Sequence, residues 1–319
     1  ASGAGFRWYA NDALRPTLSP PQRPVPCPRN PASPEDPMSY ERPADLARAL
    51  ALRAEGGRVV LAGGTDLLAA TTARELAGPV LDLTAVAELQ GVTLSPAGLR
   101  LGGGASWTQV ARAALPPACA GLQAAARVVG SIQIQNRGTV AGNLVNASPA
   151  ADSVPPLLTL DAEVELASVR GLRRMALSAF LLGPRRTALA ADELLLAVHI
   201  PAAALAGQGA FEKLGARAHL VISIGMAAVR LVAVEDRVGA VALAVGACSP
   251  VACRLAEAEA GLLGRPLADL PEALDAAAVT AALSPIDDVR AEAAYRLAAA
   301  PELLRRALAA CAPAPEIAR

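Results

Sequence analysis

Residues 130–152 hold the densest set of side chains that could bind a polar ligand. Small residues would let the backbone approach a ligand closely, while amides, hydroxyls and a carboxylate would supply hydrogen bonds. The segment has no charge run and no helical period, so we predict a loop that wraps a polar ligand. An ordinary turn-rich connection is the alternative. The small residues are Gly138, Ala141 and Gly142, and the polar ones are Thr139, Asn143, Asn146, Ser148 and Asp152.

A second candidate site lies upstream, where a predicted strand at residues 58–62 runs into Gly-Gly-Thr-Asp-Leu at residues 63–67, the start of a helix. Exposed backbone N–H groups in such a turn favour an anion such as a phosphate, although a glycine pair also makes plain turns. The segment matches neither G-x-x-x-x-G-K-[ST] nor G-x-G-x-x-G, so those two modes of nucleotide binding are disfavoured. A third glycine run, at residues 102–106, is equally compatible with a tight bend.

Histidine and cysteine, which often serve metal binding and acid–base chemistry, are scarce. The sequence contains only His199 and His219, and the apolar run around His199 indicates a strand residue rather than a ligand. The five cysteines form no C-x-x-C pair, which argues against a disulfide framework and against a zinc or iron–sulfur site in this chain. We therefore assign no catalytic residue and no metal ligand.

Bulk composition disfavours several classes of protein. The formal net charge of the 319 residues is zero and aromatic residues make up 3%, so no nucleic-acid-binding surface is indicated. Although 53% of the residues are apolar, no run approaches the roughly 18 that a membrane span needs. The length is sufficient for two domains.

The chain changes character twice. Residues 1–37 contain nine prolines and are predicted to form an extended tail or linker. From Met38 onward, short strands alternate with short helices. A shift in composition near residue 207 marks a candidate domain boundary.

Several elements are predicted from local pattern. We expect residues 161–167 to form a half-buried strand, because Ala162, Val164 and Leu166 alternate with polar residues. Residues 170–174 are predicted to be a solvated basic turn. Residues 221–234 are compatible with a long helix or a strand, and residues 251–263 with a helix.

Taken together, these segments resemble the FAD-binding subunit of the molybdenum hydroxylases, a family that includes xanthine and carbon monoxide dehydrogenases. The resemblance rests first on residues 62–67, 133–143 and 147–152. It extends to the closing domain of the family at residues 211–217, 246–254 and 287–296. In total it covers about residues 38–312, and the pair of glycine loops at this spacing is its most specific part.

The resemblance implies an α+β fold. A two-lobed FAD-binding domain of the vanillyl-alcohol oxidase type would occupy residues 38–206, with lobes at about 38–95 and 96–206. A smaller α+β domain would follow at residues 207–319.

The resemblance also implies which residues bind FAD. Three positions depart from the family pattern: Ala141 stands where glycine is usual, Gln135 where arginine is common, and Val129 where some relatives have an aromatic residue. The implied cofactor-binding residues are Val60, Leu61, Ala62, Gly63, Gly64, Thr65, Asp66, Leu67, Val129, Thr139, Val140, Ala141, Gly142, Asn143, Ser148, Asp152, Leu195 and Lys213.

The function implied by the resemblance is electron transfer within a cytoplasmic complex. A large subunit would carry the molybdenum cofactor and a small subunit would carry [2Fe–2S] clusters. Electrons would pass through FAD to NAD or another acceptor, in a hetero-oligomer such as a dimer of heterotrimers. Two alternatives stay open: a stand-alone FAD oxidoreductase acting on a small substrate, and a scaffold that has lost FAD.

Overall fold

The computed structural model of the chain describes residues 39–72, 76 and 78–311. The predicted tail at residues 1–37 therefore lies outside the described residues. Single-turn 3-10 helices are found at Ala87–Leu89, Pro117–Cys119, Ala202–Leu205 and Leu267–Asp269. The α-helices are α1 (Leu46–Ala54), α2 (Leu67–Ala70), α3 (Trp107–Arg112), α4 (Ala120–Val128), α5 (Ile132–Arg137), α6 (Val140–Asn146), α7 (Val154–Thr159), α8 (Leu177–Phe180), α9 (Ala256–Leu262), α10 (Ala276–Ala281) and α11 (Ala293–Cys311).

The strands form separate sheets that follow one another along the chain, with order β1-β3-β2, then β4-β5-β10-β6-β7, then β11-β12-β13-β14, and a small pair β8-β9. The fold is therefore α+β, as predicted. The strands are β1 (Tyr40–Glu41), β2 (Val59–Leu61), β3 (Val80–Asp82), β4 (Val92–Ser95), β5 (Gly98–Gly102), β6 (Glu163–Ser168), β7 (Gly171–Ala176), β8 (Leu181–Gly183), β9 (Arg186–Thr187), β10 (Leu194–Pro201), β11 (Gln208–Leu214), β12 (Gly225–Val234), β13 (Arg237–Gly246) and β14 (Cys253–Arg254).

The first sheet is small and parallel. Strand β3 lies between β1 and β2, and the helix α1 packs against it through Ala49, Leu50 and Leu52. Helix α1 begins where Asp45 caps it, because the Asp45 carboxylate accepts from the N–H of Arg48 at 2.8 Å. The edge strand β2 ends at Leu61 and delivers the chain directly into the glycine pair.

The second sheet is antiparallel and supports the main core. Strands β4 and β5 form a hairpin in this sheet, and the division into lobes near residue 95 stays a prediction. Strand β6 is more than half buried, contrary to the prediction, because only Glu163 of its residues is exposed. The outward-facing Glu165 is covered because its carboxylate meets the His199 imidazole at 2.8 Å and the Arg174 guanidinium at 3.5 Å. His199 is a strand residue of β10, as predicted.

Two further predictions of local structure were wrong. The basic stretch at residues 170–174 is mostly strand β7, which pairs with β6 from Gly171 onward, so the turn is confined to Val169 and Arg170. The predicted helix at residues 251–263 begins as strand β14, and only α9 is helical. In both places a pairing partner elsewhere in the chain determines the structure.

The third sheet carries the C-terminal part of the chain. The ambiguous residues 221–234 form a strand from Gly225, because β12 pairs with both β11 and β13 along its length. Helix α11 packs on this sheet through Ala300, Leu304 and Leu308. The second sheet ends at Pro201 and the third begins at Gln208; the division into domains near residue 207 stays a prediction. Among the residues that the structure describes, no helix is long and apolar enough to cross a membrane.

The predicted loop at residues 130–152 is wrong in its secondary structure, because this segment contains the two short helices α5 and α6. Ser131 caps the first, with its hydroxyl accepting from the N–H of Ile134, and Thr139 caps the second. Each helix has fewer than two full turns, which is too short to show a helical period in the sequence. The polar residues are therefore held in fixed positions by helices rather than by a loop.

Candidate functional site

A cleft of about 790 Å³ lies beside the first and second sheets. Two glycine-containing segments, residues 63–67 and residues 138–143, line it and are called the two glycine segments below. Its wall includes most of the predicted cofactor residues and brings together positions from distant parts of the chain. The predicted residues that line it are Val60, Ala62, Gly63, Gly64, Thr65, Asp66, Leu67, Val129, Thr139, Ala141, Gly142, Asn143 and Leu195.

Residues 63–67, which we call the glycine loop, present unpaired backbone groups to this cleft. Within the described part of the chain, none of the five N–H groups of the glycine loop donates to a protein acceptor. Gly64 has φ of +73°, a conformation that glycine adopts without strain. Successive unpaired N–H groups in a turn form a concave site for an anion.

Gly63 brings the two glycine segments into direct contact. A Cβ atom at Gly63 would lie 1.9 Å from the backbone oxygen of Arg137 and 3.0 Å from Cα of Gly138. The two segments are also joined by the Asn146 amide, which donates to the Asp66 carboxylate at 3.1 Å. The unpaired N–H groups and the close backbone approach together fit the diphosphate of a dinucleotide such as FAD.

Residues 138–143, the helix-entry segment, differ from the glycine loop in that every N–H group except that of Thr139 already donates to a protein acceptor. The N–H of Val140 donates to Ala105 O at 3.0 Å, and the N–H of Ala141 donates to Gly103 O at 2.9 Å. The N–H of Gly142 donates to the Thr139 hydroxyl at 3.1 Å. The segment therefore offers mainly side chains and apolar surface to the cleft, and Thr139 has its one N–H group without an acceptor among the described residues.

The departures at Ala141 and Gln135 have structural explanations. Ala141 is the second residue of α6 and has no positive φ, so its methyl group fits the backbone and packs beside Gly103. The Gln135 amide donates to Arg127 O at 2.8 Å and does not line the cleft. Neither residue blocks the cleft.

The third glycine run, at residues 102–106, forms the wall of a neighbouring cavity. This cavity of about 340 Å³ shares Ala62, Gly63, Thr139 and Leu195 with the cleft. A Cβ atom at Gly103 would lie 2.4 Å from Leu195 O, so a close approach, and not only a tight bend, requires glycine here.

Asp152 and Lys213, two predicted cofactor residues, bind each other away from the cleft wall. The Lys213 ammonium lies 2.6 Å from the Asp152 carboxylate, which also accepts from the Ser223 hydroxyl at 2.5 Å. Burial raises the pKa of Asp152, while Lys213 and Ser223 oppose that rise. Lys213 also donates to Val128 O at 3.3 Å. The pair joins the third sheet to the end of α4.

The other predicted residues outside the cleft wall have structural surroundings. Val140 is fully buried in the main core, and Leu61 lies in strand β2 beneath Gly64. The Ser148 hydroxyl accepts from the N–H of Ala150 at 3.2 Å. Cofactor binding by these three residues, and by Asp152 and Lys213, stays a prediction.

Charged residues of the cleft wall were missed by sequence reasoning. Arg53, Arg185 and Glu193 line the cleft but belong to α1, to the β8–β9 turn and to the start of β10. The Arg173 guanidinium donates to both Glu193 carboxylate oxygens, at 2.6 and 2.7 Å, and holds the pKa of Glu193 below its ordinary value. No local motif marks these positions, because the fold alone brings them together.

Two family models match the chain. The model described as the FAD binding domain in molybdopterin dehydrogenase matches residues 36–203, and the model described as the CO dehydrogenase flavoprotein C-terminal domain matches residues 210–311. The α+β fold and the cleft between two glycine segments agree with this class of flavoprotein. The chain belongs to the family of FAD-binding medium subunits of the molybdenum hydroxylases.

Individual relatives agree with this assignment. The xanthine dehydrogenase FAD-binding subunit of Escherichia coli O157:H7 is 37% identical over 51% of this chain, and the match spans only 57% of that protein. The caffeine dehydrogenase subunit beta of a Pseudomonas species is 32% identical over 73% of this chain and 81% of its own length. The carbon monoxide dehydrogenase structure from Hydrogenophaga pseudoflava superposes with a TM-score of 0.79 and 28% identity, covering 86% of this chain and 96% of that one.

Proposed function

We propose that this chain is the FAD-binding electron-transfer subunit of a molybdenum-containing hydroxylase or dehydrogenase. The observation that carries the proposal is the row of unpaired N–H groups in the glycine loop, at the wall of the 790 Å³ cleft. Val129 and Leu195 would offer apolar contacts to the flavin ring, and Thr139 and Asn143 polar contacts. FAD supplies the redox chemistry when bound, while the protein positions it.

The proposal includes partner subunits. A large subunit would carry the molybdenum cofactor and a small one the [2Fe–2S] clusters, since relatives are named as subunits or as a medium chain. Electrons would arrive from the clusters and leave to NAD or another acceptor. We propose a hetero-oligomer, with a dimer of heterotrimers as its assembly, in the cytoplasm.

The hydrogen bonds of the cleft favour this role over that of a stand-alone oxidoreductase. Such an enzyme needs an acid or base beside the flavin that is available to its substrate. The carboxylate of Glu193 is held by Arg173, and the carboxylate of Asp66 accepts from Asn146. Among the described residues of the cleft wall, these two carboxylates therefore stabilise the wall itself.

The test is to isolate this chain from its native source and to identify what accompanies it. We expect co-purifying molybdenum and [2Fe–2S] subunits, and a flavin absorption spectrum without iron–sulfur features once the chain is separated. A chain that runs alone and turns over a small substrate would support the stand-alone alternative. A flavin-free chain that FAD cannot reconstitute would contradict both.

A further inference from the structure

We propose that Arg185 binds the diphosphate of the dinucleotide at the mouth of the cleft and makes the site prefer FAD over uncharged riboflavin. The inference rests on the proposed function, because it concerns the same cleft. It assigns a role to a residue that has no motif in the sequence and that lies outside both glycine segments.

The position of Arg185 is set by a tight turn between β8 and β9. Its φ is +59°, a left-handed conformation that an arginine adopts only at a cost. Its N–H donates to Ala147 O at 3.0 Å, at the end of α6. The turn therefore aims this side chain at the cleft, while the next residue, Arg186, is exposed and does not line it.

A chain of hydrogen bonds joins the Arg185 side chain to the glycine loop. The guanidinium donates to the Asn146 amide oxygen, and the Asn146 amide nitrogen donates to the Asp66 carboxylate at 3.1 Å. Asp66 belongs to the glycine loop itself. Arg185 is thus linked through Asn146 to the glycine loop, and both line the same cleft.

The charge of Arg185 is available to a ligand. Among the described residues, no carboxylate lies within ion-pair distance of it, and its side-chain partner is a neutral amide. Other arginines nearby differ: Arg170 pairs with Asp192, and Arg173 pairs with Glu193. Arg53, the other cation in the described part of the wall, donates to the backbone oxygen of Glu193.

The chemistry of the ligand completes the inference. The diphosphate of FAD carries two negative charges, whereas the glycine loop offers neutral N–H donors and the carboxylate of Asp66, and so has no cation of its own. A guanidinium forms paired, charge-assisted hydrogen bonds with phosphate oxygens. Riboflavin lacks phosphate and would gain nothing from Arg185, so the residue discriminates between the two ligands.

The test compares Arg185→Met with the matched control Arg186→Met in the flavin-free full chain. Dissociation constants for FAD and riboflavin are measured by flavin fluorescence at low and high salt. We expect Arg185→Met to weaken FAD binding roughly fivefold at low salt and less at high salt, because exposed charge interactions are screened. Riboflavin binding and the Arg186→Met control are expected to match the wild type, and Arg185→Lys to recover part of the loss.

Unchanged FAD affinity in Arg185→Met would overturn the inference and leave the proposed function standing. Equal losses for FAD and riboflavin would also overturn it, since they would indicate a purely structural role. A wild-type chain that binds neither ligand would contradict the proposed function itself, and the inference with it.

Discussion

The glycine loop at residues 63–67 and the helix-entry segment at residues 138–143 look alike in sequence but differ in how their backbones are bonded. In the described chain, the N–H groups of the glycine loop have no protein acceptor, whereas Val140, Ala141 and Gly142 donate to Ala105, Gly103 and Thr139. The two segments touch at Gly63, where only a missing side chain permits the contact. The glycine loop thus has free backbone donors for a ligand, whereas the helix-entry segment uses most of its backbone donors within the protein.

This difference shows that a polar, glycine-containing stretch can present side chains to a ligand while most of its backbone N–H groups serve the fold. Asp152 and Lys213 bind each other in this structure, and their predicted contact with FAD stays a prediction. Substitutions should therefore separate effects on flavin binding from effects on stability.

The largest expected effect is from Gly64→Val in the glycine loop. A valine at this position is strained at φ of +73°. If the backbone relaxes to a negative φ, the N–H groups that face the cleft are no longer aligned. We expect FAD affinity to fall by about a hundredfold or more, which corresponds to about 3 kcal/mol. The dissociation constant is measured by titrating the full chain with FAD.

Gly57→Val is the matched control, because Gly57 has φ of +69° and no atom lies within 4 Å of the position that a Cβ would take there. This substitution introduces a similar backbone strain at a position that does not line the cleft. Equal loss of FAD in the two variants would show that strain alone, and not the glycine loop, accounts for the effect.

Next in size is Lys213→Met, which leaves the buried Asp152 carboxylate without its cation. We expect about 3 kcal/mol lower free energy of unfolding near pH 7, measured by urea denaturation. Burial already raises the folded-state pKa of Asp152 above its unfolded value. Ionisation of Asp152 therefore opposes folding as pH rises, and loss of Lys213 strengthens that opposition.

The pH dependence provides the check. The deficit of Lys213→Met should shrink as pH falls toward the unfolded pKa of Asp152, where the carboxyl group becomes neutral. Adding Asp152→Asn should remove most of the pH dependence. A deficit that is the same at every pH would argue against an ionised Asp152 as its cause.

The smallest effect is expected from Thr139→Val in the helix-entry segment. This change removes the hydroxyl that accepts from Gly142 N–H, and loss of such a cap costs about 1 kcal/mol of stability. Thermal unfolding of the flavin-free chain is the measurement, and Thr139→Ser should restore stability. If Thr139→Val instead abolishes FAD binding without loss of stability, the Thr139 hydroxyl serves the ligand rather than the cap of α6.

Sequence reasoning located the glycine loop because a strand, a glycine pair and a helix start are adjacent in the chain. The prediction of a loop at residues 130–152 was wrong, because α5 and α6 are too short to show a helical period in the sequence. The side chains of Ser131 and Thr139 cap these two helices. Arg53, Arg185 and Glu193 carry no local signal, since the cleft assembles them from separate elements. Lys213 and Asp152 could not be paired without knowing that the third sheet packs against α4.

The contact between Gly63 and Arg137 has a consequence for how the protein acquires its cofactor. The two sides of this contact are far apart in the chain, so it forms only after a long loop has closed. FAD that binds across it would favour the native state over the unfolded state by mass action. Flavin depletion should therefore lower the melting temperature while leaving secondary structure in place.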